Sequence, residues 1–311
     1  MTKIAESYGS SGKVKGHQEI FYKNNSRKMT SENSKQKITV LYHAECLDGF
    51  GSAWSAWKSL GHKAHYQEVR HQMPMPEFPA ASVLYILDFC YPIKQLVDAA
   101  QKASKVIVLD HHISAQQAFN AYQGDIPENL EMIFDMQQSG CMIAWHYFQG
   151  DIEPPMLLRH IEDHDLWRHQ LRHTEEIMKA LFLRRPISFA AFEQIQLDVL
   201  YYEGKILLKQ HRQMVKALLN SRHAIKLNNT LGLAVNAPGA FSSDLGHALA
   251  KKSGTFGLTY HYHGRRQCYE CGLRSIGEFD VAQLAVTFGG GGHKNAAGFS
   301  VDRKVFSGFF N

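Results

Sequence analysis

From residue 38 onward the chain alternates short apolar runs with amphipathic stretches of helical period, and this alternation constrains the fold more than any other feature of the sequence. Residues 38–42, 83–87 and 105–109 read as buried strands, and residues 51–60, 92–102 and 139–148 as the helices between or after them. Strands that alternate with helices form a parallel sheet with helices on both faces. Residues 188–221, a run without Pro, predict a long linking helix. Beyond it, residues 225–235 and 255–273 predict strands, with helices at 242–252 and 280–288. The expected class is α/β: a parallel-sheet domain over residues 38–187, a linker helix over 188–222 and a smaller mixed α/β domain over 223–311. No internal repeat is evident.

The first 37 residues are rich in Ser, Lys, Asn and Gly and carry no hydrophobic period, which predicts a disordered basic tail. Of the formal net charge of +5, all resides there: the tail holds eight Lys/Arg against three Glu, and the remainder holds 26 side chains of each sign. A neutral folded part argues against a duplex nucleic-acid partner, which needs clustered cations along the phosphate backbone. It leaves room for a small anionic ligand. The five cysteines, Cys46, Cys90, Cys141, Cys268 and Cys271, are odd in number and follow no apolar leader, so reduced thiols and a cytoplasmic protein are expected. No run approaches the roughly 20 apolar residues of a membrane-spanning helix, so no membrane partner is expected.

The chemistry-bearing residues cluster at the ends of the expected strands. The first strand runs into His43 and Asp48-Gly49, the second into Asp88, and the third into Asp110-His111-His112; Asp163 and Asp165 follow a helical segment. In parallel sheets of this kind, ligands occupy the crevice beyond the carboxyl ends of the strands. A single Asp at a strand end is most often a helix N-cap, but several acids and imidazoles gathered at one edge repel one another unless a cation joins them. Hard oxygen donors with a few imidazoles favour Mn2+, with Mg2+ or Co2+ as alternatives, and a pair of such ions would serve phosphoryl transfer.

The run Val-Ile-Val-Leu-Asp110-His111-His112 resembles the signature of the DHH phosphoesterases, and the resemblance extends along residues 38 to about 302. His43-Ala-Glu-Cys-Leu-Asp48-Gly49 is similar to the family's first motif, Leu-Asp88 to its second and Glu162-Asp163-His164-Asp165 to its fourth; Phe288-Gly-Gly-Gly-Gly-His293 resembles the Gly-Gly-Gly-His motif of its associated substrate domain. The resemblance implies a phosphoesterase of the oligoribonuclease or exopolyphosphatase type, with the active site in the cleft between the two domains. It implies that Asp88 bridges two metals, that His43 helps hold one, and that Asp48, His111 and Asp163 hold the other. By the same token Asp110 would orient a histidine, His112 would face the phosphate, and Arg274, His293 and the amides of Gly290, Gly291 and Gly292 would bind the distal end of the substrate.

One position departs from that pattern. Where many members have an acid two residues before Asp48, this chain has Cys46, so either Cys46 ligates, or Glu45 or water takes that place. Asp163 and Asp165 also remain alternatives, because residues two apart on a helix face different ways. Cys268 and Cys271, with His261 and His263 upstream, suggest zinc, but on a hairpin side chains three apart face opposite sides, so structural thiols are expected. The function expected from all of this is hydrolysis of short oligonucleotides or linear or cyclic dinucleotides to mononucleotides; an exopolyphosphatase or pyrophosphatase and a nucleotide sensor that binds without cutting are the rivals. The oligomeric state stays open, a homodimer included.

Overall fold

The computed structural model describes residues 36–70, 73–185 and 187–310; of the expected tail, residues 1–35 lie outside that range. The chain divides into two compact units, Met1–Glu162 and Asp163–Asn311.

The first unit is built on five strands, β1 (Ile38–His43), β2 (Ala64–Val69), β3 (Val83–Leu87), β4 (Lys105–Asp110) and β5 (Leu130–Phe134). They form one sheet in the order β2-β1-β3-β4-β5, and every neighbouring pair is parallel. The helices of this stretch are α1 (Leu47–Leu60), α2 (Ile93–Lys102), α3 (Ile113–Asn120), α4 (Gly140–Gln149) and the start of α5 (Met156–Asp165). Successive side chains of a strand face opposite sides, and the core follows that rule. Val40, Leu87, Ile107 and Leu109 pack with Ala56, Ile143 and Ala144 of α1 and α4. Leu41, Leu84, Ile86, Val106 and Val108 pack with Leu96, Ala99 and Ala100 of α2 on the other face.

Strands β2 and β5 were not expected from the sequence. They lie at the sheet edges and are only partly buried, so Ala-His-Tyr-Gln-Glu-Val and Leu-Glu-Met-Ile-Phe mix polar and apolar residues where a central strand is uniformly apolar. Their addition matters: the chain goes from β1 to β2 on one side and from β3 to β4 on the other, so the order reverses between β1 and β3. Crevices for ligands open at such switch points.

The second unit contains α6 (Thr174–Leu183), α7 (Phe189–Glu193), α8 (Leu197–Leu218) and a six-stranded sheet. The single helix expected over 188–221 is interrupted. Ser188 Oγ accepts the Ala191 N–H and caps α7, while Asp198 puts a carboxylate in the first turn of α8, which favours a fresh helix start. The strands are β6 (His223–Leu227), β7 (Thr230–Asn236), β8 (Phe256–His263), β9 (Cys268–Ser275), β10 (Gly291–His293) and β11 (Ala296–Val301), in the order β10-β11-β9-β8-β7-β6; only β7 and β8 are parallel. The run expected as one strand over 225–235 is a hairpin, because Asn228 and Asn229 adopt the left-handed conformation that Asn tolerates. Helices α9 (Ser242–Ser253), α10 (Val281–Val286) and α11 (Arg303–Ser307) complete the unit around a core that includes Phe256, Leu258, Leu273 and Phe299. Among the described residues no helix is long and apolar enough to cross a membrane.

Candidate metal centre

The carboxyl ends of β1, β3 and β4 deliver three groups of side chains to one edge of the first unit. His43 closes β1. Five residues on, Asp48 stands in the first turn of α1, whose N-cap is Cys46. Asp88 follows β3 in the left-handed region, at φ +64°, with its N–H bonded to Leu109 O. Such backbone is unfavourable for a residue with a Cβ and recurs where a functional side chain must be aimed. Asp110 ends β4 and His111 and His112 follow it.

Distances show that these groups converge. Asp88 Oδ2 lies 3.4 Å from His43 Nδ1, and Asp88 Oδ1 lies 3.3 Å from His111 Nε2. The same His111 nitrogen is 3.8 Å from Asp48 Oδ2. Asp110 Oδ1 accepts the N–H groups of His111 (2.8 Å) and His112 (3.4 Å) and stands 2.7 Å from His112 Nδ1. A carboxylate at that distance keeps a proton on Nδ1. The hydrogen bond to Asp110 also holds the His112 pKa above its ordinary value, against the opposing effect of burial.

Three carboxylates this close, all less than 3% exposed, need positive charge among them. Among the described residues of the first unit, two sets of donor atoms stand close enough for an ion, His43–Cys46–Asp88 and Asp88–His111–His112, each with its ligand atoms within 4.8 Å of one another. Asp88 is common to both, as a residue shared between two cations would be. Asp110 contributes differently, since Oδ1 is committed to its own loop and Oδ2 is shut off from solvent with no hydrogen-bond partner among the described residues. The donor set fits divalent cations.

Two features of this site carry no motif signal. Asp48 accepts the N–H groups of Gly140 (2.6 Å) and Cys141 (3.0 Å), so it ties the start of α1 to the start of α4. Gly140 itself packs on Asp88: a Cβ there would lie 2.6 Å from Asp88 Oδ1. The alternatives around Cys46 also separate. Glu45 is paired with Arg70 at 2.6 Å, both side chains about two-thirds exposed, whereas Cys46 Sγ lies within reach of His43 and Asp88.

The remaining expected residues belong to the second unit. Asp163 accepts from Thr174 Oγ1 (2.6 Å), Gln170 N (2.8 Å) and Leu171 N (3.2 Å). Burial works to raise its pKa, but these bonds and His169 outweigh it and hold the group below its ordinary value. Both Asp163 oxygens thus staple the loop ahead of α6, and Asp165 sits at the last position of α5. Arg274 donates to Leu273 O (2.9 Å) and Ser243 Oγ (3.2 Å), and burial lowers its pKa. Gly290 donates its N–H to Ala285 O, closing α10, while Gly291, Gly292 and His293 form β10 and pair with Gly298, Ala297 and Ala296. From Gly291 onward the glycine run is therefore a short strand. Gly292 stands at φ +142°, where a Cβ would lie 2.5 Å from Ala296 O, so glycine is required there. Cys268 and Cys271 lie on one strand of the β8–β9 hairpin as free thiols, Cys271 buried.

No family model matches the chain. Uncharacterized protein R106 of Acanthamoeba polyphaga mimivirus is 31% identical to it over 294 residues, an alignment covering 86% of this chain and 68% of the viral protein. Among solved structures, the pGpG-specific phosphodiesterase PggH of Vibrio cholerae matches with a TM-score of 0.52 at 14% identity, over 88% of this chain and 95% of that one. The likeness is one of fold.

Proposed function

The chain belongs to the same family as that viral protein and has the fold of a phosphodiesterase, and from this we propose that it is a divalent-metal-dependent phosphoesterase that hydrolyses short oligonucleotides or linear or cyclic dinucleotides to mononucleotides. The observation that carries the reading is the convergence of His43, Asp48, Asp88, Asp110, His111 and His112 at the switch point between β1 and β3. A pair of divalent ions, Mn2+ by the donor set, would supply the activated water and neutralise the phosphoryl oxygens.

The protein's own groups would divide the remaining work. Asp88 would be shared between the ions, with His43 and Cys46 on one side and His111 and Asp48 on the other. Asp165 is the better candidate than Asp163 for a further ligand, because the Asp163 oxygens are already engaged by three donors. Asp110 would hold the His112 ring so that its Nε2 meets the substrate phosphate. Keeping a proton there above the ordinary histidine range makes His112 a hydrogen-bond donor to the oxygen on which charge develops. Arg274, His293 and the Gly291–Gly292 backbone would bind the distal part of the substrate.

Purified protein should be incubated with Mn2+ and a panel of dinucleotides, cyclic dinucleotides, nucleoside phosphates and polyphosphate, with products resolved by chromatography. Mononucleotide release from dinucleotides, absent in EDTA, is expected. Cleavage of polyphosphate alone, or of nothing, would overturn the proposal.

A further inference from the structure

Cys268 and Cys271, with His261 and His263 upstream, suggest zinc, and the register of the β8–β9 hairpin decides which of these side chains can meet. Directly opposed residues of an antiparallel pair share a face of the sheet, and so do residues two apart on one strand. His261 stands opposite Glu270, and His263 opposite Cys268. His261, His263, Cys268 and Glu270 therefore occupy one face as two adjacent cross-strand pairs. Cys271 is on the other face, opposite Tyr260, and is buried in the core of the unit.

Opposed Cβ atoms in such a ladder lie about 5 Å apart, and residues two apart on a strand about 7 Å. The four side chains thus rise from the corners of a rectangle small enough for one ion near its centre to reach all of them. One of the two pairs is already closed: His261 Nε2 lies 3.3 Å from Glu270 Oε2, and both side chains are about one-third exposed. His263 and Cys268 are likewise partly buried, and Cys268 is a free thiol.

Two imidazoles, a thiolate and a carboxylate make a donor set that suits tetrahedral Zn2+ and fills all four of its positions. A thiolate among imidazoles disfavours Mn2+, which prefers hard oxygen donors. The contacts that the ion would replace are weak ones. Arg266, in the turn between the strands, donates its backbone N–H to His263 Nδ1 at 3.2 Å and its guanidinium to Glu270 Oε1 at 2.8 Å. The arginine side chain is 60% exposed, and an ion pair so open to water adds little to stability.

We propose that His261, His263, Cys268 and Glu270 bind one Zn2+ ion that clamps the turn end of the β8–β9 hairpin. Ligation takes the proton of the Cys268 thiol to solvent and displaces Arg266 from His263 and Glu270. With four protein ligands no position is left for water or a substrate, so the ion is structural. It fixes the strand that carries Arg274 on the same face, four residues beyond Glu270. The site lies wholly within the second unit and does not depend on the phosphoesterase reading of the first.

Titration of the full chain with Zn2+ against a chromogenic chelator counts the ions held and tests this without relying on turnover. Cys268→Ser and His263→Ala should each weaken one zinc equivalent by on the order of a hundredfold. Both positions are partly exposed, so melting in EDTA should match that of the parent, which separates loss of a ligand from loss of the fold. Arg266→Gln removes the competing guanidinium and should tighten zinc binding several-fold. Co2+ reports on the thiol itself. In Cys46→Ser, where the other candidate thiolate is gone, Co2+ should still give thiolate charge-transfer absorption, and adding Cys268→Ser should abolish it. Zinc binding in Cys268→Ser and His263→Ala equal to that of the parent would overturn the proposal, as would a charge-transfer band that is absent from Cys46→Ser or persists in the double variant.

Discussion

Gly140 lies so close to Asp88 that a Cβ on it would fall 2.6 Å from the Asp88 Oδ1 atom and 2.7 Å from its Cβ. The first residue of α4 is therefore part of the wall that aims the Asp88 carboxylate, although it bears no functional group. Gly140→Ala should displace Asp88 and destabilise the protein by about 1–3 kcal/mol, the usual range for overpacking. Thermal melting and Mn2+ titration should show both a lower melting temperature and weaker metal binding; a variant unchanged in both would place Asp88 under no such constraint.

Asp88→Asn should abolish turnover at saturating Mn2+, because an amide cannot supply negative charge to two cations. Stability separates this effect from unfolding. Removing one of three clustered buried carboxylates relieves repulsion in the metal-free protein, so its melting temperature in EDTA should be no lower than that of the parent. Added Mn2+ should stabilise the parent by about 2.7 kcal/mol at a hundred times its dissociation constant, and the variant by much less. Retained activity with a normal Mn2+ response would remove Asp88 from the shared position.

Asp163 and Asp165 are expected to part company. Asp163→Asn loses an anion that holds Thr174, Gln170 and Leu171, and should cost about 1.5–3 kcal/mol. The folded pKa of Asp163 is lowered, so its contribution is present above the unfolded pKa and is lost as pH falls through the folded one. The stability gap between parent and variant should accordingly close in acid. Asp165→Asn should leave melting in EDTA almost unchanged and weaken Mn2+ binding. The reverse pattern, with metal affinity lost only at Asp163, would restore Asp163 as the ligand.

Metal-free protein should show the Asp110–His112 pair in its pH dependence. The folded pKa of His112 is raised by Asp110, so the stabilisation is complete below the unfolded value near 6.5 and fades as pH rises through the folded value. In EDTA, His112→Gln should lower the melting temperature more at pH 5.5 than at pH 9. An equal loss at both would mean that the pair is not charged in the folded state.

Cys46 stands with His43 and Asp88 at the position where the family resemblance implies a carboxylate, and a thiolate ligand is softer than an acid. Mn2+ or Zn2+ should therefore slow alkylation of Cys46 relative to the metal-free protein, and Cys46→Asp should raise Mn2+ affinity. Equal alkylation in both forms, with no gain in the Asp variant, would take Cys46 out of the coordination sphere.

The sequence by itself determined the parallel sheet of the first unit and the residues at its carboxyl edge, because both are written locally. A central strand buried on two faces must be uniformly apolar, and the residue that ends it is read directly, so His43, Asp88 and Asp110-His111-His112 are legible without knowing how the strands pair. The mixed hairpins of the second unit are half legible: Asn228-Asn229 is a turn signal, whereas the pairing of β10 with β11 depends on partners remote from the glycine run. Only the tertiary structure decided the strand order, with the half-exposed β2 and β5 at the edges and the reversal between β1 and β3. It alone set Asp48 on the amides of Gly140 and Cys141 and turned Glu45 to Arg70. The physical reason is common to all of these: each depends on which segments pack together through space, and neither period nor propensity along the chain encodes a contact between residues that lie about ninety positions apart, as Asp48 and Gly140 do.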